Sequence, residues 1–365
     1  MRISRLVIAL AMIAATVALG ACSNENEPEV VDITKPIDLN IGVGSVTQTR
    51  VAIVNPTAFE TGDAIGIYLA TADKNVAPGE TTSVAAGINA GKAVNNVQFT
   101  KTSNSWDGVI YWQNTSQWHT LYGYYPYDSS LSGTTTTKSV TVAADQHAQG
   151  TVGTAGNVQG AGYKNADYLW AENTAVMAST NTQPMELQHK MSRIVIKLTA
   201  GNGLSDTELE ALSSSLKIVN RNQKGEGNIS VQGTFDIKTG TITADEQQAA
   251  TKLAEITPYR VETTTAASGG TATPKEYSYY AILLPGTSFT EKSDFVQLKA
   301  ADETTYLYKL GTSSALTLVA AKEYIFTLKA NKTGIALDGF TIKAWENVTS
   351  DADGNADMVV PEAQN

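Results

Sequence analysis

"IDLNIGVGSVTQTRVAIVN", residues 37–55, alternates apolar residues with polar residues or glycine over its first half. Ile37, Leu39, Ile41 and Val43 fall on one side, and Asp38, Asn40, Gly42 and Gly44 on the other. A period of two is the pattern of a strand with one covered face. A second apolar run, Val51 to Val54, starts directly after Arg50. No other arginine occurs between Arg5 and Arg193. A lone basic residue therefore separates two strand-like pieces near the start of the chain.

The same pattern spreads outward. Strand-like runs recur as "AIGIYLATA", "VNNVQFTK", "HTLYGYYPY", "MELQHKMSRIVIKLTA", "EYSYYAILLPG", "KEYIFTLKA" and "DGFTIKAW", with Asn-Pro, Pro-Gly, Asp-Gly and Gly-Thr turns among them. Thr, Ser, Gly, Val and Tyr are abundant, and only 17% of residues are charged. β-Branched and aromatic side chains suit a pleated, half-covered surface. Many short alternating strands with polar turns predict an all-β fold of sandwiches rather than alternating βαβ units. One helix is signalled in "LSDTELEALSSSLK": Ser205 and Glu208 make a capping box, Leu204 and Leu209 a staple, and Leu209, Leu212 and Leu216 an apolar face. Small and polar residues around "HKMSRIVIKL" place a domain boundary near residue 189, giving domains at 37–189 and 190–365.

Ahead of residue 37 the chain is of another kind. Arg2 and Arg5 precede an Ala-rich apolar run that is short for a membrane span and ends in small residues, which reads as a signal peptide over 1–21. Leu19-Gly20-Ala21-Cys22 resembles the lipobox of bacterial lipoproteins, which implies cleavage before Cys22 and its acylation. The competing reading is an ordinary secretory signal with a chance cysteine. Cys22 is the only cysteine, so no disulfide can form within the chain. Residues 22–36 are acidic, contain two prolines and read as a tether. Glu25, Glu27 and Glu29 also resemble the acidic export tags of Bacteroidetes surface lipoproteins; a plain solvated linker is the alternative.

The chemistry available is limited. The formal net charge of −10 argues against nucleic acid and anionic membrane surfaces as partners. His119, His147 and His189 are the only histidines and none stands at a metal-ligand spacing; no nucleophile-elbow or phosphate-loop motif occurs. No cofactor, metal site or catalytic residue is expected. "DADGNAD", Asp351 to Asp357, has the look of a calcium loop but lacks the terminal glutamate, so a solvated turn is the expectation. Trp106, Trp112, Trp118, Tyr122, Tyr124, Tyr125 and Tyr127 form an aromatic cluster. It reads first as core packing, since Tyr122 and Tyr124 alternate along one strand; the alternative is an exposed glycan-binding platform on a monomeric surface lipoprotein. A secreted hydrolase with a dispersed active site is a distant third.

The order of these pieces carries a resemblance. Lipobox, acidic tether, first strand, "TQTRVAIVNPTAFETGDAIGIYLA", "VIYWQNTSQWHTLYGYYPY", "HKMSRIVIKL", "YAILLPG" and "FTIKAWEN" together are similar to the fimbrillin family of Bacteroidetes, the subunits of type V pili. The resemblance implies two transthyretin-like β-sandwich domains in tandem and a non-enzymatic adhesion subunit. It implies export as a lipoprotein to the outer-membrane surface, held by lipid on Cys22, and assembly into an extracellular fimbrium. An Arg-specific protease would cut after Arg50 and remove the strand carrying Ile37, Leu39, Ile41 and Val43. A strand from another subunit, of the same or a different kind, would then fill the groove. The implied donor lies within 335–365, with Phe340, Ile342 and Trp345 in one piece and Met358, Val359 and Val360 in another. A host or bacterial surface ligand is a further implied partner. Stalk and tip positions both remain open.

Overall fold

The computed structural model describes residues 31–43, 59–72, 92–132, 135–152, 155–221, 224–245, 252–263, 275–311 and 315–345. Within them the chain is all-β, with two short helices.

Seven strands form the first sheet. In spatial order they are β1 (Leu39–Val43), β10 (Gln183–His189), β9 (Leu169–Val176), β5 (Trp118–Tyr125), β2 (Ala64–Ala72), β3 (Val97–Lys101) and β4 (Trp106–Asp107). A five-stranded sheet orders β18 (Tyr259–Thr263), β19 (Glu276–Leu283), β11 (Ser192–Ala200), β24 (Lys322–Asn331) and β25 (Gly334–Ala344). A four-stranded sheet contains β17 (Glu255–Ile256), β12 (Lys217–Val219), β21 (Asp294–Lys299) and β22 (Thr305–Lys309). A three-stranded sheet contains β15 (Thr241–Ala244), β14 (Gln232–Asp236) and β6 (Thr137–Thr141). Three small pairs complete it: β7 (Gln149–Val152) with β8 (Ala155–Gln159), β13 (Ile229–Ser230) with β16 (Lys252–Leu253), and β20 (Ser288–Phe289) with β23 (Leu316–Thr317).

The sequence pattern explains which strands are central. β10, QPMELQH, alternates buried and exposed without a break, as a strand with one covered face must. β5, WHTLYGYY, is buried from its second residue to its last. Its two faces feed different cores. Leu121 and Tyr125 join Ile65, Ile67, Leu69, Met185 and Leu187 in one cluster, while Tyr122 and Tyr124 join a larger one shared with β11, β19 and β24. Gly66 is placed opposite Tyr124 in the ladder, and a Cβ there would come within 2.1 Å of the tyrosine ring. The aromatic ring thus covers the gap a glycine leaves in a central strand.

β11, SRIVIKLTA, is the axis of the second half. It pairs antiparallel with β19 and parallel with β24, and Ile194, Ile196 and Leu198 are fully buried. The chain changes sheets at Lys190 and Met191, between β10 and β11. Sequence order and spatial grouping nevertheless differ, because β6 pairs with β14 across all five of its residues. Gln146 also acts as a rung for the second half: its side-chain amide donates to the Ile282 carbonyl at 2.7 Å and accepts from the Ile282 N–H at 2.9 Å.

Of the helices, α2 (Asp206–Ser213) carries the expected capping box, with Ser205 and Glu208 satisfying each other's backbone N–H. Leu209 and Leu212 are buried on it; Leu216 is buried too, but past the helix end. The other, α1 (Ala161–Asn165), follows a left-handed Gly160 and has no side-chain cap. It lacks the sequence signals by which helices are recognised.

Candidate functional site

β1 lies at the edge of the first sheet and pairs in parallel with β10, from Leu39↔Gln183 to Val43↔Leu187. Two backbone bonds fix its entry. The Ile37 N–H donates to the Ile110 carbonyl at 2.8 Å, and the Gln183 N–H donates to the Asp38 carbonyl at 2.8 Å. The Thr182 hydroxyl donates to the Asp38 carboxylate.

Its side chains fill one end of the smaller core. Ile37 and Val43 are buried, while Leu39 and Ile41 are half-buried and packed on the same cluster, which includes Met185 and Leu187. Each fully buried aliphatic side chain contributes about 1.5–3 kcal/mol, the half-buried ones less. The removable strand expected from the sequence is thus seated by apolar burial and one ladder. Its supposed cut point, Arg50, and the lipid-bearing Cys22 lie outside the described residues.

The partner strand depends on β1 in turn. β10 pairs with β9 only at Gln188↔Trp170 and His189↔Leu169. Residues 183–187 therefore take their ladder partners, among the described residues, from β1. Beyond them His189 is buried with its Nδ1 2.7 Å from Asp167 Oδ1.

The other candidate region is the C-terminal strand. β25 forms a hairpin with β24 whose register runs from Asn331↔Gly334 to Lys322↔Ala344. Phe340 is half-buried, its ring 4.5 Å from that of Phe326, and Ile342 is exposed. Trp345 is 3% exposed, and its N–H donates to the Ala321 carbonyl at 2.7 Å. Its indole stacks on His189, with ring centroids 4.0 Å apart and planes 6° from parallel. Phe340, Ile342 and Trp345 thus lie within or against their own sheet. Met358, Val359 and Val360, the second piece of the candidate donor, lie outside the described residues, as does Asp351 to Asp357.

The aromatic cluster is largely internal. Trp112, Tyr122, Tyr124 and Tyr125 are buried, and Trp106, Trp118 and Tyr127 are half-buried. Trp112 donates its indole N–H to the Ser179 carbonyl at 3.0 Å, and the Tyr124 hydroxyl donates to Asn96 Oδ1 at 2.6 Å. These are the contacts of core residues whose polar atoms are satisfied, and they disfavour a glycan platform.

Buried titratable groups serve the same packing. His119 lies edge-on to Trp112, with centroids 5.0 Å apart, and burial pushes its pKa down to about 4. Lys138 reaches the Pro126 carbonyl at 2.5 Å; burial pushes it down to about 8 against the attraction of Asp128. His147 Nδ1 accepts from the Arg260 N–H at 3.2 Å. Among the described residues no group of three or more His, Cys, Asp or Glu side chains could hold a metal ion.

Sequence reasoning missed Trp345 and His189 as a pair, as well as the parallel pairing of β1 with β10. The alternation in both strands signalled which face is covered, but nothing local identified the neighbour.

Comparison with known proteins completes the picture. A search of curated proteins finds no significant match. Among solved structures, a candidate cell adhesion protein of Bacteroides ovatus aligns with a TM-score of 0.53 at 20% identity, covering 87% of this chain and 99% of that one. A second, from Bacteroides uniformis, aligns at 0.50 with 16% identity, covering 84% and 98%. At these identities the likeness is one of fold. A family model described as Fimbrillin-like matches residues 49–345, most of the chain. The chain belongs to the fimbrillin-like family.

Proposed function

We propose that the protein is a non-enzymatic structural subunit of a surface fimbria that serves adhesion and polymerises by strand exchange at the β1 position. The observation that carries this reading is β1 itself. It is a five-residue edge strand in parallel pairing, seated on a buried apolar strip and followed in sequence by Arg50. The family match covers residues 49–345, which follow β1 in the chain.

In this reading the chain is exported as a lipoprotein through the Cys22 motif and displayed on the outer membrane. An Arg-specific protease cuts after Arg50. Loss of β1 uncovers Met185 and Leu187 together with the open backbone groups of residues 183–187, and such an edge is a template for another strand. A strand supplied by a neighbouring subunit restores the ladder, with main-chain bonds giving affinity and alternate side chains giving register. Each copy gives and receives at different surfaces, so the contact is heterologous and propagates as a filament.

Treating the lipidated precursor with an Arg-specific protease tests it. A single cut after Arg50 and a ladder of oligomers are expected, and Arg50→Ala should remain monomeric. A trimmed protein that stays a folded monomer and accepts no strand from any subunit would overturn the reading.

A further inference from the structure

β10 carries an attachment from each end of the chain. Gln183 to Leu187 pair with β1, and Gln188 and His189 pair with β9. The outer five residues are otherwise held by buried side chains, Met185 and Leu187, and by a bond from the Asn173 amide to the Pro184 main-chain carbonyl at 3.3 Å. His189, the last residue, sits between the Asp167 carboxylate at 2.7 Å and the Trp345 indole at 4.0 Å.

β11 and β24 are tied to Trp345 at the same point. The Arg193 guanidinium of β11 lies 4.9 Å from the indole centroid. Arg193 is ion-paired with Glu323 of β24, and Glu323 also takes Lys343 of β25 at 3.0 Å. The end of β10 and the start of β11 thus meet the indole directly, and β24 and β25 join through the Arg193–Glu323–Lys343 pairs.

We infer that occupancy of the β1 position and the seating of Trp345 are coupled through β10. Without β1, five consecutive residues lose their ladder and only the two-residue pairing with β9 remains. Proteins open locally in contiguous units, and here the unit that β1 stabilises ends at the residue on which Trp345 stacks. Loss of β1 loosens the end of β25, and unseating Trp345 weakens β1 by the same factor, because coupling between sites is reciprocal. The use of this link, opening the N-terminal edge before the last strand is freed, rests on the assembly function proposed above. The link itself does not.

Hydrogen exchange on the intact full-length chain, with no protease and no second subunit, tests it. Ile41→Asp should unseat β1 and speed exchange in residues 183–189 and in 340–345, by a factor within the roughly 5–150-fold range of linked sites. Residues 294–309, in β21 and β22, should keep their wild-type rates. Trp345→Ala should speed exchange in 39–43 and 183–187, and Trp345→Phe, which keeps a ring on His189, should restore most of the protection. If Ile41→Asp does not fold, the Trp345 pair decides the matter from the other end. Faster exchange in 183–187 with unchanged rates in 340–345, or Trp345→Ala without effect on 39–43, would overturn the coupling. Such a result leaves strand exchange untouched, and a failure to polymerise leaves the coupling measurable.

Discussion

The two edge strands β1 and β25 are held in opposite ways. β25 has eleven residues and follows β24 through a two-residue connection, Lys332 and Thr333. Its pairing closes a short loop, so the entropic cost is small and nearly every residue gains a partner. A register shift at Thr327/Leu328 and the exposed Asp338, Thr341 and Lys343 blunt its outer edge, as edge strands commonly require. β1 has five residues and pairs with a strand some 140 positions away, as the 144-residue separation of Thr182 from Asp38 shows. Parallel pairing is slightly the weaker kind per residue, so β1 relies on burying Ile37 and Val43. One edge is integral to its sheet, and the other is an insert whose ladder partner lies far away in the chain.

The contrast can be broken at the integral edge first. Phe326→Ala removes the ring that lies between Phe295 and Phe340, and a cost of about 3–5 kcal/mol is expected. Urea unfolding should show a lower midpoint for the whole molecule. A loss confined to β25 would mean that this strand is an insert as well.

Acid should distinguish the two cores. His119 belongs to β5 and packs on Trp112, a member of the β1-side cluster. Its folded pKa of about 4 lies below the ordinary histidine value of 6.5. Above pH 6.5 the ring is neutral in both states and nothing is lost. As pH falls from 6.5 to 4 the unfolded chain takes up a proton that the folded one refuses, so stability drops by up to roughly 3 kcal/mol. Urea midpoints measured across this window should fall for the wild type, and His119→Phe should flatten that slope. An unchanged slope in the variant would place the acid sensitivity elsewhere.

The smallest expected effect is at the insert. Val43→Ala removes two buried methyl groups, worth roughly 1.5 kcal/mol. Exchange in 183–187 should quicken, while the urea midpoint of the second half should not move. A global shift instead would mean that β1 is as integral as β25.

Much of the fold was legible because alternation is a local property. QPMELQH carries the pattern of one covered face and RIVIKL that of a strand covered on both, although the two fell in one strand-like run in the sequence. The Ser205–Glu208 box marked the start of α2, since a cap satisfies its own donors within four residues. The aromatic cluster was legible as core only where Tyr122 and Tyr124 alternate; Trp112 and Trp118 carry no period that reveals burial. α1 begins at a left-handed glycine and runs five residues, too short for a helical period. β6 lies within 37–189 in sequence yet pairs with β14, about ninety residues on, because a strand's pattern names its buried face and not its neighbour.

By itself, then, the sequence determined the all-β class, the faces of the main strands, the principal helix and the alternation of residues 37–43. Period-two burial and capping are settled within a few residues and need no partner. Only the tertiary structure decided that β1 lies parallel on β10, that Phe340 to Ala344 close their own hairpin, and that Trp345 seats on His189. Those contacts join residues far apart in the chain, and shape, packing and loop closure select among partners that the local pattern leaves equivalent.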